Sequence, residues 1–442
     1  MSARPRRGLR SGLGITALAA ALALLSAACS SSSSGSGAQT LKIITWVNPP
    51  AVTAFKTIDA EFHKKYPNIT VDLQTAANVN GPYLTLQETT VDSSTADIIT
   101  NVAPLQAMPL KPTRQNMSTW QFWSTSNVFL PLNGQSFLSD YSKSALAAET
   151  YKGKTYGLVS GAYQEGVFYN KQIFAKYHLT PPTTYTQFMS EMATLKSHGV
   201  TPLFVGLGDV GPVYLQFLYY ELMASVWYPS APGGNLATAI EQGTVKWTAP
   251  QFTTAMTEEK AIAKYLEPGY TGVPWESMPG DFAKGDSAML LDGSWDLAAI
   301  HQANPKIQVG FFPVPGSNTP ADNQGDLDDN LTISVLKNAP DSAAALKWLA
   351  FFSQPSVYEK YVDITGISPS ENGGTYSSFA AASLGSLFGK GLNQNVFYPV
   401  LSPQQAYWDQ PANWPTLQQD VINGTKTPAQ AEALYQGDWK TS

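Results

Sequence analysis

Side chains able to do chemistry are sparse and scattered in this sequence. The four histidines, His63, His178, His198 and His301, never stand at the short spacings by which a chain offers imidazoles to one metal, so no metal site is expected. Ser334-Val335-Leu336-Lys337 has the S-x-x-K spacing of a serine acyl enzyme. It falls, however, in a run that reads as a strand and lacks a K-T-G partner, and no G-x-S-x-G elbow occurs anywhere. Asp326, Asp328, Asp329 and Asn330 offer oxygens of the kind that calcium takes, without the glycine and the closing glutamate of an EF-hand loop, and they read as a solvated acidic loop. One catalytic possibility stays open: a pair of carboxylates about 5 to 10 Å apart, the arrangement that cleaves glycosidic bonds, cannot be excluded by spacing alone. No cofactor is expected.

Cys29 is the only cysteine, which rules out an internal disulfide. It follows a basic start, Arg4 to Arg10, and an apolar run from about Gly14 to Ala28, the layout of a secretory signal. The run falls short of the roughly 20 apolar residues that a membrane span needs, and no second candidate span occurs. Leu25-Ser26-Ala27-Ala28-Cys29 resembles the bacterial lipobox, in which the cysteine becomes the lipidated N-terminus; Ser26 departs from the usual leucine. Ser30 to Gly37 then reads as a solvated tether. Arg6-Arg7 raises twin-arginine export, but the residues around it match that signal poorly.

About 400 residues remain, more than one core usually supports, so two lobes are expected. With 12% aromatic and only 14% charged residues, rings must occupy surface or cleft positions as well as the core. A net charge of −6 with scattered lysines argues against nucleic acid as a partner.

Strands are predicted at Leu41–Trp46, Ile69–Leu73, Ala96–Thr100, Tyr156–Val159, Val309–Phe312 and Leu331–Val335. Helices are predicted at Ala51–Tyr66, Tyr185–His198, Tyr214–Trp227, Thr253–Leu266, Ser342–Phe352 and Pro415–Asn423. Residues 313–330 read as a loop. Alternating strands and helices predict an α/β fold with mostly parallel sheets.

Four segments taken together, "AEFHKKYPNITV", "GKTYGLVSGAYQEGVFYNKQIFAKYHLTPPTTYTQF", "FAKGDSAMLLDGSW" and "VINGTKTPAQAEALY", resemble the bacterial extracellular solute-binding proteins typified by maltodextrin-binding proteins. The resemblance implies two α/β lobes of the type II periplasmic-binding-protein fold, joined by hinge strands, with ligand held between them. It places the crossings near Gly161 to Gln164, Gln308 to Phe311 and Ser353 to Thr365. The expected layout is a signal at 1–28, lipidated cysteine and tether at 29–40, a first lobe at 41–162 plus 308–356, and a second lobe at 163–307 plus 357–442.

A sugar needs hydrogen-bond partners for its hydroxyls and flat rings for its C–H faces. The resemblance makes Trp295, preceded by Gly293, the expected stacking tryptophan, and Gly293 the point of close backbone approach. It also suggests Trp414, seven residues before Val421, and a loop bordering the cleft at Gly366-Ile367-Ser368. Tyr163, Gln164 and Glu165 stand at the first crossing. Trp46 and Asn48 follow the first strand at a carboxyl end, where open α/β sheets place ligands, unless they are ordinary loop residues. Asp97 and Asn101 flank another strand and could equally be caps. Trp120, Trp123, Trp227, Trp275 and Trp408 are further candidates, several expected to be packing.

The function expected is that of a monomeric, lipid-anchored substrate-binding protein on the outer face of the cytoplasmic membrane. It would hand a sugar, an oligosaccharide in particular, to the permease subunits of an ABC importer. A secreted glycan hydrolase is the alternative, and a purely structural lipoprotein is disfavoured because it would not require two lobes.

Overall fold

The computed structural model describes residues 38–438 apart from 78–80, 103–111, 114–116, 209–210, 228–235, 376–379, 381–382, 385–391 and 394–413. The signal, lipobox, Cys29 and most of the tether lie outside the described residues, as does Trp408. Among the described residues no helix is long and apolar enough to cross a membrane, and no three histidine, aspartate, glutamate or cysteine side chains gather as a metal set.

The chain opens with β1 (Gln39–Trp46), α1 (Pro49–Lys65), β2 (Ile69–Ala76), α2 (Pro82–Ser93) and β3 (Ile98–Val102). Asn48 starts α1 by accepting a hydrogen bond from the Ala51 N–H at 3.0 Å, and prolines fill the first turn, where a missing N–H costs nothing. His63, Lys64 and Lys65 complement the carbonyl end. Ala51, Ala54, Phe55, Ile58 and Phe62 recur at three- and four-residue steps and are buried against the sheet. There follow α3 (Thr119–Thr125), α4 (Lys143–Ala148), the short pair β4 (Thr150–Tyr151) and β5 (Lys154–Thr155), β6 (Leu158–Val159), β7 (Ala162–Tyr163) and β8 (Glu165–Asn170).

The middle of the chain is mainly helical, with α5 (Lys171–Lys176), α6 (Tyr185–Ser197), α7 (Val213–Trp227), α8 (Leu236–Glu241), α9 (Pro250–Ile262) and α10 (Met278–Ala283), of which α6, α7 and α9 fall where the sequence predicts helices. One unforeseen strand, β9 (Thr201–Phe204), follows α6. Thr184 caps α6 through the Gln187 N–H. Next come β10 (Ser287–Gly293), α11 (Leu297–Ala303), β11 (Val309–Phe312), β12 (Asp326–Asp329), β13 (Leu331–Val335), α12 (Ser342–Phe352) and α13 (Pro355–Thr365). The last elements are β14 (Leu392–Asn393), α14 (Trp414–Asn423) and α15 (Pro428–Asp438).

Two sheets with separate cores make the two lobes. The first has the order β2-β1-β3-β13-β6, and its apolar core joins α1, α12 and α13 around Phe55, Trp348, Phe352 and Tyr361. There the Trp348 indole N–H donates to Asp59 at 2.8 Å; burial pushes that carboxyl up to about 7, the indole bond opposing. The second sheet has the order β11-β8-β10-β9, and its core takes in α7, α9, α14 and α15. Both sheets are mixed rather than mostly parallel. β1 runs parallel to β2 and β3, and β10 to β9, but β13 is antiparallel to β3 and β6, and β8 to β10 and β11. Parallel neighbours need a crossover within one lobe, whereas β13 and β8 arrive from the other lobe and are free to run the opposite way.

The second and third crossings fall later than the sequence places them. β11 pairs with β8 and Val314 sits in the second core, so the chain returns to the first lobe between 315 and 330, not at 308–311. α13 lies against α1 with Val357, Tyr358, Tyr361 and Val362 in the first core, and Glu371 bridges to Tyr141. The last departure therefore comes between 372 and the second-core residue Ala380. The acidic stretch is not a solvated loop. β12 pairs with β7 and β14 in a small third sheet, and burial pushes the Asp329 carboxyl up to about 7.

Candidate ligand-binding cleft

The first crossing, residues 160–165, is six residues long, and most of its backbone bonds reach distant segments. The Ser160 N–H donates to Leu331, Gly161 accepts from Asn330 at 2.7 Å, and Ala162 exchanges both bonds with Ser368 at 2.8 and 2.9 Å. A side chain at Gly161 would strike Ile367 and the Ser368 carbonyl, at 2.1 and 2.8 Å from its Cβ, so this approach requires glycine. On the second-lobe side, the Ser294 N–H donates to the Gln164 carbonyl at 2.7 Å and the Gln164 N–H to the Ser294 hydroxyl at 3.0 Å.

These bonds bring particular strand ends to the crossing. In the first sheet the register sets Leu331 beside Val102 and Thr332 beside Val159, so the carboxyl ends of β1 and β3 lie on the edge where β6 leaves. In the second sheet Glu165, the start of β8, stands opposite Gly293, the end of β10. α1, which begins three residues after Trp46, packs beside α11, which begins two residues after Trp295. The two edges therefore converge, as open α/β sheets do around a ligand.

Trp295 is the centre of this region. Its ring lies over Gly293, where a Cβ would stand 2.0 Å from Cζ3, so the glycine makes room for the indole. Tyr163 meets it edge-on at 4.8 Å and Phe217 of α7 at 5.9 Å, and the ring stays partly exposed. Beyond Phe217 the aromatic row continues through Tyr214 to the partly exposed Trp275, which stack at 6.1 Å. Gln164 and Glu165 are buried at the crossing.

On the first-lobe edge, Trp46 is partly exposed and packs 5.8 Å from Tyr83, while Asn48 spends its side-chain oxygen on the α1 cap. Asn101 is buried at the end of β3. Its Oδ1 accepts from Gln87 Nε2 at 3.1 Å, and its Nδ2 donor has no partner among the described residues.

Three expected site residues are structural. Trp414 is wholly buried between Trp247, Tyr219 and Tyr435, at 5.0, 5.4 and 4.9 Å, with no ring face left for a sugar. Asp97 accepts backbone N–H bonds from Lys42 at 2.8 Å and Asp341 at 2.6 Å, tying β1 to the start of α12. Gly366 closes α13 in the left-handed region, at φ 73°, with its N–H bonded to Val362. Trp120, Trp123 and Trp227 are buried in the cores.

Sequence reasoning missed Asp292 and Asp296, which flank Trp295 and are buried at 1% and 5% exposure. Burial, then the neighbouring Asp296, raises the Asp292 carboxyl well above the usual range. Burial pushes Asp296 up to about 6, with bonds from Asp292 and the Trp295 indole opposing. The signal was present in Asp292-Gly293-Ser294-Trp295-Asp296: two carboxyls four residues apart across a turn at a strand end.

Over residues 47–359 the chain matches the profile of the bacterial extracellular solute-binding proteins. It belongs to that family. The multiple sugar-binding protein of Streptococcus mutans is 24% identical over 314 residues, 70% of each chain, and the melibiose/raffinose/stachyose-binding protein MelE of Bacillus subtilis is 22% identical over 217 residues, half of that protein. Among solved structures, the solute-binding protein RafE in complex with raffinose superposes with a TM-score of 0.70 at 18% identity, covering 90% of this chain and 99% of that one. A chitin oligosaccharide binding protein superposes with 0.71 at 20%, covering 90% and 97%. This solute-binding protein thus has the two-lobe type II fold.

Replacing Trp414 by alanine should cost about 3 to 5 kcal/mol of stability, as for a buried aromatic, and lower the melting temperature sharply. Ligand affinity of the folded fraction should stay within about twofold of wild type. Calorimetric titration well below the melting temperature checks this; a large loss of affinity with unchanged melting temperature would return Trp414 to the site.

Proposed function

We propose that this solute-binding protein captures a sugar, specifically an oligosaccharide, between its lobes and presents it to the permease subunits of an ABC importer. The observation that carries the reading is the partly exposed Trp295 ring, framed by Tyr163 and Phe217 where the two sheet edges converge. Such a face suits pyranose C–H groups, and the Asn101 donor, unpartnered among the described residues, suits a hydroxyl oxygen. Trp46, Tyr163, Gln164 and Glu165 complete the proposed contacts. The relatives named for sugars support the same class of ligand.

A receptor is favoured over a hydrolase. Asp292 and Asp296, the acids that flank the tryptophan, are both buried, whereas a glycosidase presents its carboxyls about 5 to 10 Å apart with the scissile bond between them. We further propose a monomer held on the outer face of the cytoplasmic membrane through lipid on Cys29, since two or more acyl chains anchor where one would not. Nucleic acid is not a partner of this acidic chain.

Titration with raffinose, stachyose and chitin oligosaccharides should give stoichiometric heat with one of them and no released reducing sugar; turnover would overturn the reading. Trp295→Ala should weaken that binding about ten- to a hundredfold, about 1.4 to 2.7 kcal/mol, and leave the melting temperature of the empty protein nearly unchanged. Unchanged affinity with a large fall in melting temperature would make Trp295 a packing residue. Cys29→Ser, expressed in a bacterium that processes lipoproteins, should move the protein from membrane to medium; membrane retention equal to wild type would refute the anchor.

A further inference from the structure

The end of the first lobe opposite the cleft carries a charge pattern that sugar capture does not use. α1 closes on His63, Lys64 and Lys65, all exposed, and residues 66–68 then turn the chain into β2. At the partly exposed Tyr66, the ammonium group of Lys65 lies 5.7 Å and that of Lys347 on α12 lies 5.2 Å from the ring centre, and Lys65 also lies 5.3 Å from the Phe351 ring. Ring faces attract ammonium groups, so these two are held together despite their like charge. Among the described residues, Lys64, Lys65 and Lys347 form no ion pair. The Lys65 head group donates to the neutral Gln354 amide at 3.3 Å, and the carboxylate of Glu61 is taken up by Lys360 at 2.6 Å. In a chain of net charge −6, this is an uncompensated positive face.

The covalent chain enters at the same face. Gln39, the first residue of β1, donates its N–H to the Asn68 carbonyl at 2.8 Å and stands opposite Ile69, whose own N–H donates to the Tyr66 carbonyl at 2.9 Å. Gln39 is ten residue steps from Cys29, a stretch that spans at most about 36 Å. A lipid on Cys29 keeps Gln39 within that distance of the bilayer in every orientation, so surface charge decides which side turns down. Each lysine close to an anionic bilayer favours contact by about fivefold, over a range of about 8 Å at physiological salt.

We propose that the face made by Lys64, Lys65, Tyr66 and Lys347 seats the anchored protein on the anionic lipid headgroups of the membrane that holds Cys29. The ammonium groups meet the headgroup phosphates, and Tyr66 offers a ring with a polar tip at the same depth. β1 runs from this face to Trp46 at the converging edge, so the seated protein holds its cleft away from the bilayer, open to arriving solute. The inference rests on the reading of Cys29 as the lipid-bearing residue and adds to it the orientation in which the anchored protein waits for its ligand.

The test couples the mature chain to vesicles through a maleimide-headgroup lipid, for which Cys29 is the sole cysteine target. Acetylation of each lysine by an uncharged reagent, under single-hit conditions, is then followed by mass spectrometry. On vesicles rich in phosphatidylglycerol, Lys64, Lys65 and Lys347 should react at least about fivefold more slowly than on phosphatidylcholine vesicles. The exposed second-lobe residues Lys176 and Lys306 should react equally on both, and about 0.5 M salt should abolish the difference. The Lys64→Gln/Lys347→Gln double variant, altered at two exposed positions, should lose most of the protection of Lys65. Equal rates on the two kinds of vesicle would overturn the proposal, as would protection shared by Lys176 and Lys306 or undiminished at Lys65 in the double variant. Protection of the uncoupled protein by soluble polyphosphate, with none on anionic vesicles, would assign the face to a soluble polyanion and overturn it too. Because the coupling is chemical, the two readings separate: membrane retention of Cys29→Ser in the cell defeats the anchor, whereas equal acetylation on the two kinds of vesicle defeats only the seating face.

Discussion

Everything in this protein depends on keeping a polar backbone satisfied where the chain passes between two cores. Ser160 to Glu165 must leave one sheet and join another without stranding N–H and C=O groups in a buried place, where each unmade bond costs about 1 to 3 kcal/mol. The solution is to borrow partners from both later passages. Asn330 and Leu331 come from the return to the first lobe, Ser368 from the stretch after α13, and Ser294 from the turn that carries Trp295. The Tyr358 hydroxyl adds a brace, donating to Ser160 at 3.0 Å and accepting from the Ser370 N–H at 2.7 Å. The crossing is thus a junction of several distant segments, and the cleft residues are attached to it rather than to either core alone.

This arrangement explains the division of labour among the aromatic residues. Those packed around Trp348 in the first lobe and around Trp247 and Trp414 in the second are spent on burial, because each lobe must be stable by itself if the junction is to bend. The residues at the junction are only partly covered. Trp295 rests on a glycine, meets Tyr163 and Phe217 at steep interplanar angles and keeps part of its surface exposed.

The alternation of strands and helices and the two-lobe plan were legible in the sequence because they are local or follow from chain length, whereas Asn48, read as a site or loop residue, caps α1. Lobe membership was not legible. Val309-Gly310-Phe311-Phe312 is apolar on both faces and reads the same in either sheet; only its register with β8 decides the lobe. The amphipathic stripe of α13 likewise says that it packs, but not on what. Trp414 shows the same limit at the site: an indole at a suggestive distance from a helix reads identically whether it faces a sugar or Trp247. Trp295 and Gly293 were singled out by the resemblance to the family, and the fold adds that the ring lies over the glycine. The acids on either side escaped notice because a carboxyl near a turn usually means solvent, and only the fold reveals that these two are buried.

The central claim is that the junction is a hinge and that a sugar bridges the two strand edges it joins, so that binding favours the closed arrangement in proportion to its contacts with both lobes. Small-angle X-ray scattering of the mature protein, with and without a saturating oligosaccharide, tests this most directly. The account predicts a smaller radius of gyration when the sugar is bound; an unchanged radius at demonstrated saturation would mean that the sugar does not draw the lobes together, and would contradict it.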